Sequence, residues 1–373
     1  MNPAIKESLA ARNAVARKTL PDRTIPDTQL HSPSIPRITA LGGGHGLSVV
    51  LQGLRAYHLK TQLPDDEQKS GLSAIVTVAD DGGNTGTLRK TLNIQALGDI
   101  RSSLLALSDG DSTIRDLFNF RFNTKLSNHS LGNLILAALT LMGNDFGEAV
   151  QRANQLLGVQ GQVIPATTSN VELLAQFDND DMIKGESKIT AAERRIRKIS
   201  LFPADVKASS KAVSAILNSD VIVIGPGSLY TSLIPNLLLD DIAQAIIASQ
   251  SQVILVMNLM TEPGETRNYS AEDIIDALRE HVPDLPIHTV LVNDAPIPED
   301  NLRRYASMGI DPIIIDTDRI KAMGYTPVPR KLLARGLKIR HDPKKLAQAL
   351  LMSSKQNSRR SPDLSNSMAS FLA

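Results

Sequence analysis

Apolar and polar positions alternate in blocks along the chain. Short apolar runs at 37–41, 72–78, 221–224, 253–257, 289–292 and 312–315 predict strands. The run at 72–78 (LSAIVTV) is almost continuously apolar, as in a strand covered on both faces. Helical spacing predicts helices over 47–59, 100–108, 112–121, 130–142, 145–157, 242–249, 271–281 and 299–308. This alternation predicts an α/β fold: a Rossmann-like, doubly wound, mainly parallel sheet with helices on both sides. Residues 162–203 break the pattern. Runs at 163–164, 171–177, 182–189 and 199–202, split by Asn-Asp and Lys-Gly turns, predict a small inserted antiparallel β subdomain.

The ends read differently. Residues 1–35 hold four prolines and no sustained period, which predicts a disordered extension. Residues 353–373 are rich in Ser, Asn and Arg and predict a disordered tail, leaving one domain over 36–352. Segment 60–70 reads as a loop insertion.

Composition narrows the function. Lys+Arg is 40 against Asp+Glu 39, without the basic excess of a nucleic-acid binder, so no nucleic-acid partner is expected. Aromatics are 3%, too few for base-stacking platforms. The absence of cysteine excludes disulfides, thiolate zinc sites and cysteine nucleophiles. No apolar run approaches a membrane span and no secretory signal is evident, so the expected location is cytoplasmic.

The candidate chemistry follows the strands. After the first comes Gly42-Gly43-Gly44-His45-Gly46, after the second Asp80-Asp81-Gly82-Gly83-Asn84-Thr85-Gly86. After 221–224 comes Gly225-Pro226-Gly227-Ser228, and after 253–257 come Asn258 and Thr261-Glu262-Pro263-Gly264-Glu265-Thr266. In an open parallel sheet ligands bind outside the carboxyl ends of the strands, where these loops fall together. The first loop leads into a helix whose free N–H groups favour an anion. Its match to the dinucleotide fingerprint is partial, because Leu47 stands where a glycine belongs. Asp80 and Asp81 read as acceptors for ribose hydroxyls or as ligands for Mg²⁺, against a plain Asp-Gly turn. Asp99 reads as a helix N-cap, Arg101 as a bidentate phosphate contact or a surface arginine, and His129 as a phosphate donor, an acid/base or an unengaged histidine. The loop at 225–232 is a second anion nest. It lacks the glycine spacing of a nucleophile elbow, and no Gly-Lys-Ser/Thr phosphate loop occurs.

In order, these motifs resemble the gluconeogenesis factor family, the YvcK-like branch of the CofD-like (2-phospho-L-lactate transferase) superfamily. They are GGGHGLS (42–48), VTVADDGGNTG (76–86), GDIR (98–101), LFNFRF (117–122), HSLGN (129–133), IKGES (183–187), GPGSLYTSLIPNLL (225–238) and NLMTEPGET (258–266). The resemblance runs from about 37 to 325 and implies a Rossmann-like fold. It also implies a regulatory protein that binds a nucleotide sugar of the UDP-N-acetylglucosamine type and is linked to carbon metabolism and cell shape. The alternative it implies is a Mg²⁺-dependent transferase like 2-phospho-L-lactate transferase. Carried over by position, the ligand and phosphate site is Gly43, Gly44, His45, Gly46, Asn84, Arg101, His129, Asn133, Gly225, Gly227, Ser228 and Thr231, with Asn258, Thr266 and Tyr269 on its rim and Asp80 and Asp81 at a metal. His45 stands where the family usually has threonine. No catalytic residue is assigned, and no redox cofactor is expected. A homo-oligomer is expected, with the apolar run 233–239 read either as an interface or as a buried helix.

Overall fold

The computed structural model describes residues 36–58, 71–122, 129–143 and 145–358. The expectations for 1–35, for the loop insertion at 60–70 and for the tail beyond 358 lie outside the described residues.

Seven strands form one parallel sheet in the order β3-β2-β1-β7-β8-β9-β10. They are β1 (Ile38–Gly42), β2 (Leu72–Val76), β3 (Gln162–Pro165), β7 (Val221–Ile224), β8 (Gln252–Val256), β9 (Thr289–Asn293) and β10 (Thr326–Arg330). β1, β2 and β7 are buried at every residue, which explains their unbroken apolar sequences. The chain winds outward from β1 through β2 to β3, then returns to the other side of β1 and winds through β7 to β10. The reversal makes the β1/β7 junction the topological switch point, where the crevice of a doubly wound sheet opens.

Helix α1 (Gly44–His58) follows β1, and α2 (Gly83–Leu92), α3 (Gly98–Leu107), α4 (Ser112–Asn119), α5 (Leu131–Gly143) and α6 (Phe146–Leu156) lie between β2 and β3. Beyond β3 comes the insert, a separate antiparallel sheet of β4 (Glu172–Phe177), β5 (Met182–Lys184) and β6 (Ile196–Phe202) with a short helix α7 (Glu186–Ala191). The remaining helices are α8 (Ser210–Leu217), α9 (Ile234–Leu237), α10 (Asp240–Ala248), α11 (Ala271–His281), α12 (Glu299–Ala306), α13 (Thr317–Ala322) and α14 (Pro343–Ser358). The bounds of α11 are those the sequence predicts. A capping box fixes its start, with the Ser270 hydroxyl accepting the Asp273 N–H and the Asp273 carboxylate accepting the Ser270 N–H.

Several expectations need correction. Residues 163–164 belong to the edge strand of the main sheet, not to the insert, because β3 pairs in parallel with β2. The run at 182–189 is a strand only to Lys184; Gly185, at φ +105°, turns the chain into α7. The run at 312–315 makes isolated bridges at Pro312 and Ile314 but no sheet strand. The place of outer strand goes to β10, whose Pro327 and Pro329 are tolerated because a strand with one neighbour leaves alternate N–H positions unused. α1 begins at Gly44, so the glycine loop forms its first turn, and α14 continues through Ser353 to Ser358. The 233–239 run is interior: Leu233, Ile234, Leu237 and Leu239 are all buried, which is the buried-helix alternative.

Two side chains fasten the parts. Arg89 donates to the carbonyls of Ala79, Asp80 and Val171 and to the Asn170 amide oxygen, stapling the end of β2 to the start of the insert. Asn154 of α6 donates to the Val163 carbonyl and accepts the Val163 N–H, pairing the open edge of β3.

Candidate functional site

The two glycine loops meet. A methyl group at Gly46 would overlap the Pro226 carbonyl, and one at Gly227 would lie 3.7 Å from the Gly43 carbonyl oxygen. Residues 42–46 and 225–228 are therefore apposed across the β1/β7 junction, as the sequence predicts. Glycine is required at position 46 by this close approach and favoured at position 44 by its φ of +59°. His45 lies exposed on the first turn of α1. The loop end is tied down by Asn236, which donates to the carbonyls of Gly42 and Ser232.

Behind the second loop stands a buried polar scaffold. Asn258 accepts the Gly227 N–H at 3.0 Å and donates to the Gly227 carbonyl at 2.9 Å. A π-helical turn, Leu229–Leu233, is held by Glu265, which accepts the Tyr230 N–H at 2.9 Å and the Thr231 hydroxyl at 2.6 Å. The Thr266 hydroxyl accepts the Glu262 N–H, and the Tyr269 hydroxyl meets that of Tyr230 at 3.0 Å. Thr231, Thr266 and Tyr269 are buried, and each hydroxyl is engaged with another protein group. Burial pushes the carboxyls of Glu262 and Glu265 well above the usual range, and the Glu262 charge raises Glu265 further.

Acids also line the β2 side. Asp99 does not cap its own helix; α3 begins at Gly98, and the Asp99 carboxylate accepts the Gly44 N–H. A protein carboxylate therefore already occupies part of the first anion nest. Burial, then the nearby Asp80, raises Asp99 to about 6. Glu186, at the start of α7, is raised to about 7 by burial and by Asp80, Asp81 and Asp99. Asp80 accepts the Gly82 N–H and is raised by burial. Asp81 accepts the Ser187 N–H at 2.8 Å, joining this loop to the insert. Asn84 and Thr85 lie in the first turn of α2, with Asn84 half-buried. Among the described residues no three His, Cys, Asp or Glu side chains form a cage for a metal ion. A Mg²⁺ ion here would have to complete its shell with ligand phosphate oxygens and water, a common arrangement for that ion.

The GDIR and HSLGN motifs meet nearby. Arg101 is buried on α3, its side chain packed against Gly132 at the start of α5. Three buried polar atoms have no partner there: Arg101 Nε, His129 Nδ1 and Asn133 Oδ1. Orphaned polar atoms at this density call for a bound polar group or water. Burial and the neighbouring Arg121 lower the pKa of Arg101.

The cations omitted by the sequence reading come from the far end of the chain. Residues 330–345 hold Arg330, Lys331, Arg335, Lys338, Arg340, Lys344 and Lys345 against one acid, Asp342. Among the described residues, none of the seven forms a salt bridge. Leu332 donates its N–H to the Asn293 amide oxygen at the end of β9. The His341 ring bonds to the Met257 carbonyl just past β8, so the segment crosses the carboxyl ends of both strands. It is pinned to α12 by Asn301 on the Gly336 carbonyl, Arg304 on the Leu337 carbonyl and Tyr305, whose hydroxyl accepts the Ile339 N–H. Arg335, Arg340, His341 and Lys345, together with the one acid Asp342, then line a cavity of about 500 Å³ against Val49 and Gln52 of α1. One face of α1 thus meets the Pro226 loop at Gly46, the cavity at Val49 and the start of α14 at Gly53. His341 is buried and held neutral, its pKa near 4, with Nε2 unpartnered as a hydrogen-bond acceptor. The sequence signal was the charge run itself.

A larger open cleft of about 1460 Å³ lies at the opposite end of the sheet, among the amino ends of β1, β2 and β3. Its charged groups are engaged: Arg37 pairs with Asp220, Glu148 with Arg152, Lys211 donates to the Gln151 amide oxygen, and Asp145 caps α6. No unpaired chemistry converges there, and volume alone does not make a site.

Residues 38–333 match the family model described as 2-phospho-L-lactate transferase CofD. The chain belongs to that family. It is 41% identical over 319 residues to the gluconeogenesis factor of Bacillus subtilis, covering 85% of this chain and 97% of that one. It is 38% identical to the gluconeogenesis factor of Halalkalibacterium halodurans, over 84% of this chain and 95% of the relative. A crystal structure of a UPF0052 family member from Bacillus halodurans superposes with a TM-score of 0.79 at 38% identity, covering 85% of this chain and 99% of that one. The family assignment agrees with the resemblance carried by the loops, and the shared fold with the switch-point architecture.

Proposed function

We propose that this family member binds a nucleotide sugar of the UDP-N-acetylglucosamine type at the carboxyl end of its sheet and acts as a regulator of carbon metabolism and cell shape. The observation that carries this reading is the apposition of the two glycine loops beside the cation-lined cavity. A diphosphate needs backbone amides and cations together. The loops supply the first, while Arg335, Arg340 and Lys345 supply the second without carboxylate partners to give up. The acid-lined side near Asp80, Asp99 and Glu186 suits sugar hydroxyls, which donate to carboxylates. Among the described residues no helix is long and apolar enough to cross a membrane.

Calorimetry with UDP-N-acetylglucosamine tests this directly. The unaltered chain is expected to bind, with Gly44→Asp and Arg340→Ala each weakening the complex at least tenfold. No heat from the unaltered chain, with or without Mg²⁺, rejects the reading. A second reading is a Mg²⁺-dependent transfer of a phosphorylated group from a nucleotide-linked donor. The acids at 80, 99 and 186 favour it, since a metal bridging them to a diphosphate would neutralise charge where a phosphoryl group is displaced. Turnover of labelled nucleotide donors that requires Mg²⁺ and disappears in Asp80→Asn would select this second reading over the first.

A further inference from the structure

Resting on the nucleotide reading above, we propose that a small apolar slot at the carboxyl ends of β8 and β9 is the seat of the ligand's nucleobase. The slot has a volume of about 230 Å³ and is walled by Leu259, Ile297, Leu302, Ile313 and Ile315, with Asn258 at one edge. No charged residue lines it. Both amide groups in its lining are bonded to neighbouring protein groups, with one N–H of Asn293 left over. Asn258 holds both polar groups of Gly227 and donates to Glu262; Asn293 bonds the N–H and the carbonyl of Ala295 and accepts the Leu332 N–H.

That chemistry selects among the parts of a nucleotide sugar. A phosphate would find no cation in the slot. A hexose would bury hydroxyls with no side-chain partner, which is costly. A flat heterocycle presents apolar faces to the walls and keeps its polar edge at the mouth. Position agrees with chemistry. Asn258 belongs both to the slot and to the latch on Gly227, so slot and phosphate loop share a wall. β9 lies two places from β7 in the sheet, roughly 10 Å at the usual strand spacing. A ribose with one phosphate bridges that distance.

The ligand then runs in one direction across the crevice. The base sits over β8 and β9, the diphosphate lies at the β1/β7 junction, and the sugar points toward the acids near β2. Because the walls are apolar, the base is recognised by shape and contact more than by side-chain hydrogen bonds.

The decisive experiment compares UMP with ribose 5-phosphate, two ligands that differ only in the base, alongside inorganic pyrophosphate as a probe of the anion site. The unaltered chain is expected to prefer UMP roughly tenfold or more, the range an apolar pocket achieves. Ile297→Asp and, independently, Leu302→Trp are expected to bring that ratio near one while pyrophosphate binding changes less than twofold. Both positions are half-buried, and Ile297→Leu is expected to retain the preference. A UMP preference that survives in both variants overturns the slot and leaves the nucleotide reading standing. Failure of the unaltered chain to bind either UMP or UDP-N-acetylglucosamine overturns the nucleotide reading itself, and the slot assignment with it.

Discussion

The two sides of the carboxyl-end crevice carry opposite charge, and they were assembled differently. On the β2 side, Asp80, Asp99 and Glu186 come from the loop after β2, the start of α3 and the insert; burial raises the pKa of each, and neighbouring carboxylates add to it. On the other side, Arg335, Arg340 and Lys345 come from one continuous segment that crosses β8 and β9, and the one acid in the cavity they line, Asp342, accepts the Lys344 and Lys345 backbone N–H groups. The acidic side is convergent and half-buried; the basic side is contiguous and exposed. The difference teaches where each property is fixed. Burial tunes the acids, whereas exposed cations respond to ionic strength.

The comparison breaks most completely if the two loops are pushed apart. Gly46→Val places atoms inside the Pro226 carbonyl, and the expected result is loss of about 3 kcal/mol of stability together with loss of nucleotide binding. Denaturant titration and calorimetry read the two effects separately. Next in size is the basic side. The double substitution Arg335→Ala and Arg340→Ala is expected to cost about 1.5–3 kcal/mol per charge-assisted bond to a diphosphate, and to flatten the salt dependence of binding. A salt slope equal to that of the unaltered chain would separate this segment from the ligand.

The acidic side is sharpened by pH. Asp99 and Glu186 have folded-state pKa values raised to about 6 and about 7, so the folded chain holds their protons more tightly than the unfolded chain does. Stability is therefore free of their penalty below about pH 4 and declines as pH rises through 6 and 7. Thermal melts from pH 5 to 8 should show that decline, with a smaller slope in Glu186→Gln. Over the same window, affinity for a diphosphate without Mg²⁺ should fall as both carboxylates charge, and added Mg²⁺ should restore it. The smallest effect belongs at the far end of the sheet. Arg37→Ala removes an exposed pair with Asp220, and less than about 1 kcal/mol of stability and no change in ligand affinity are expected.

Much of this arrangement is legible before folding is considered. Continuous apolar runs mark β1, β2, β7 and β8, and the loops after them carry the glycines and acids, because a parallel sheet presents its carboxyl ends together. Local signals also place α11, whose cap residues are adjacent in sequence. What escapes is non-local. Residues 163–164 look like their neighbours in the insert, yet they pair with a strand some ninety positions earlier. α2 starts among Gly83 and Asn84, residues that ordinarily announce a turn, and its apolar face is narrow. β10 is disguised by two prolines that only an edge position tolerates. Thr231, Thr266 and Tyr269 read as polar contacts for a ligand, and their burial with protein partners at Glu265, Glu262 and Tyr230 is not legible locally. The basic segment escapes for a different reason: a charge run ordinarily marks a solvated surface, and only its route over β8 and β9 brings it to the crevice.

The Asp99 carboxylate on the Gly44 amide has a further consequence. An empty anion nest would attract any small phosphate in its surroundings. With a resident carboxylate standing in, a lone orthophosphate must displace a tethered competitor and gains little by doing so. A ligand gripped at several points can complete that exchange, and its apparent affinity is lowered by the work of eviction. Asp99→Asn is therefore expected to raise the affinity of the proposed ligand and of small inorganic anions alike, and calorimetry with both reads that change.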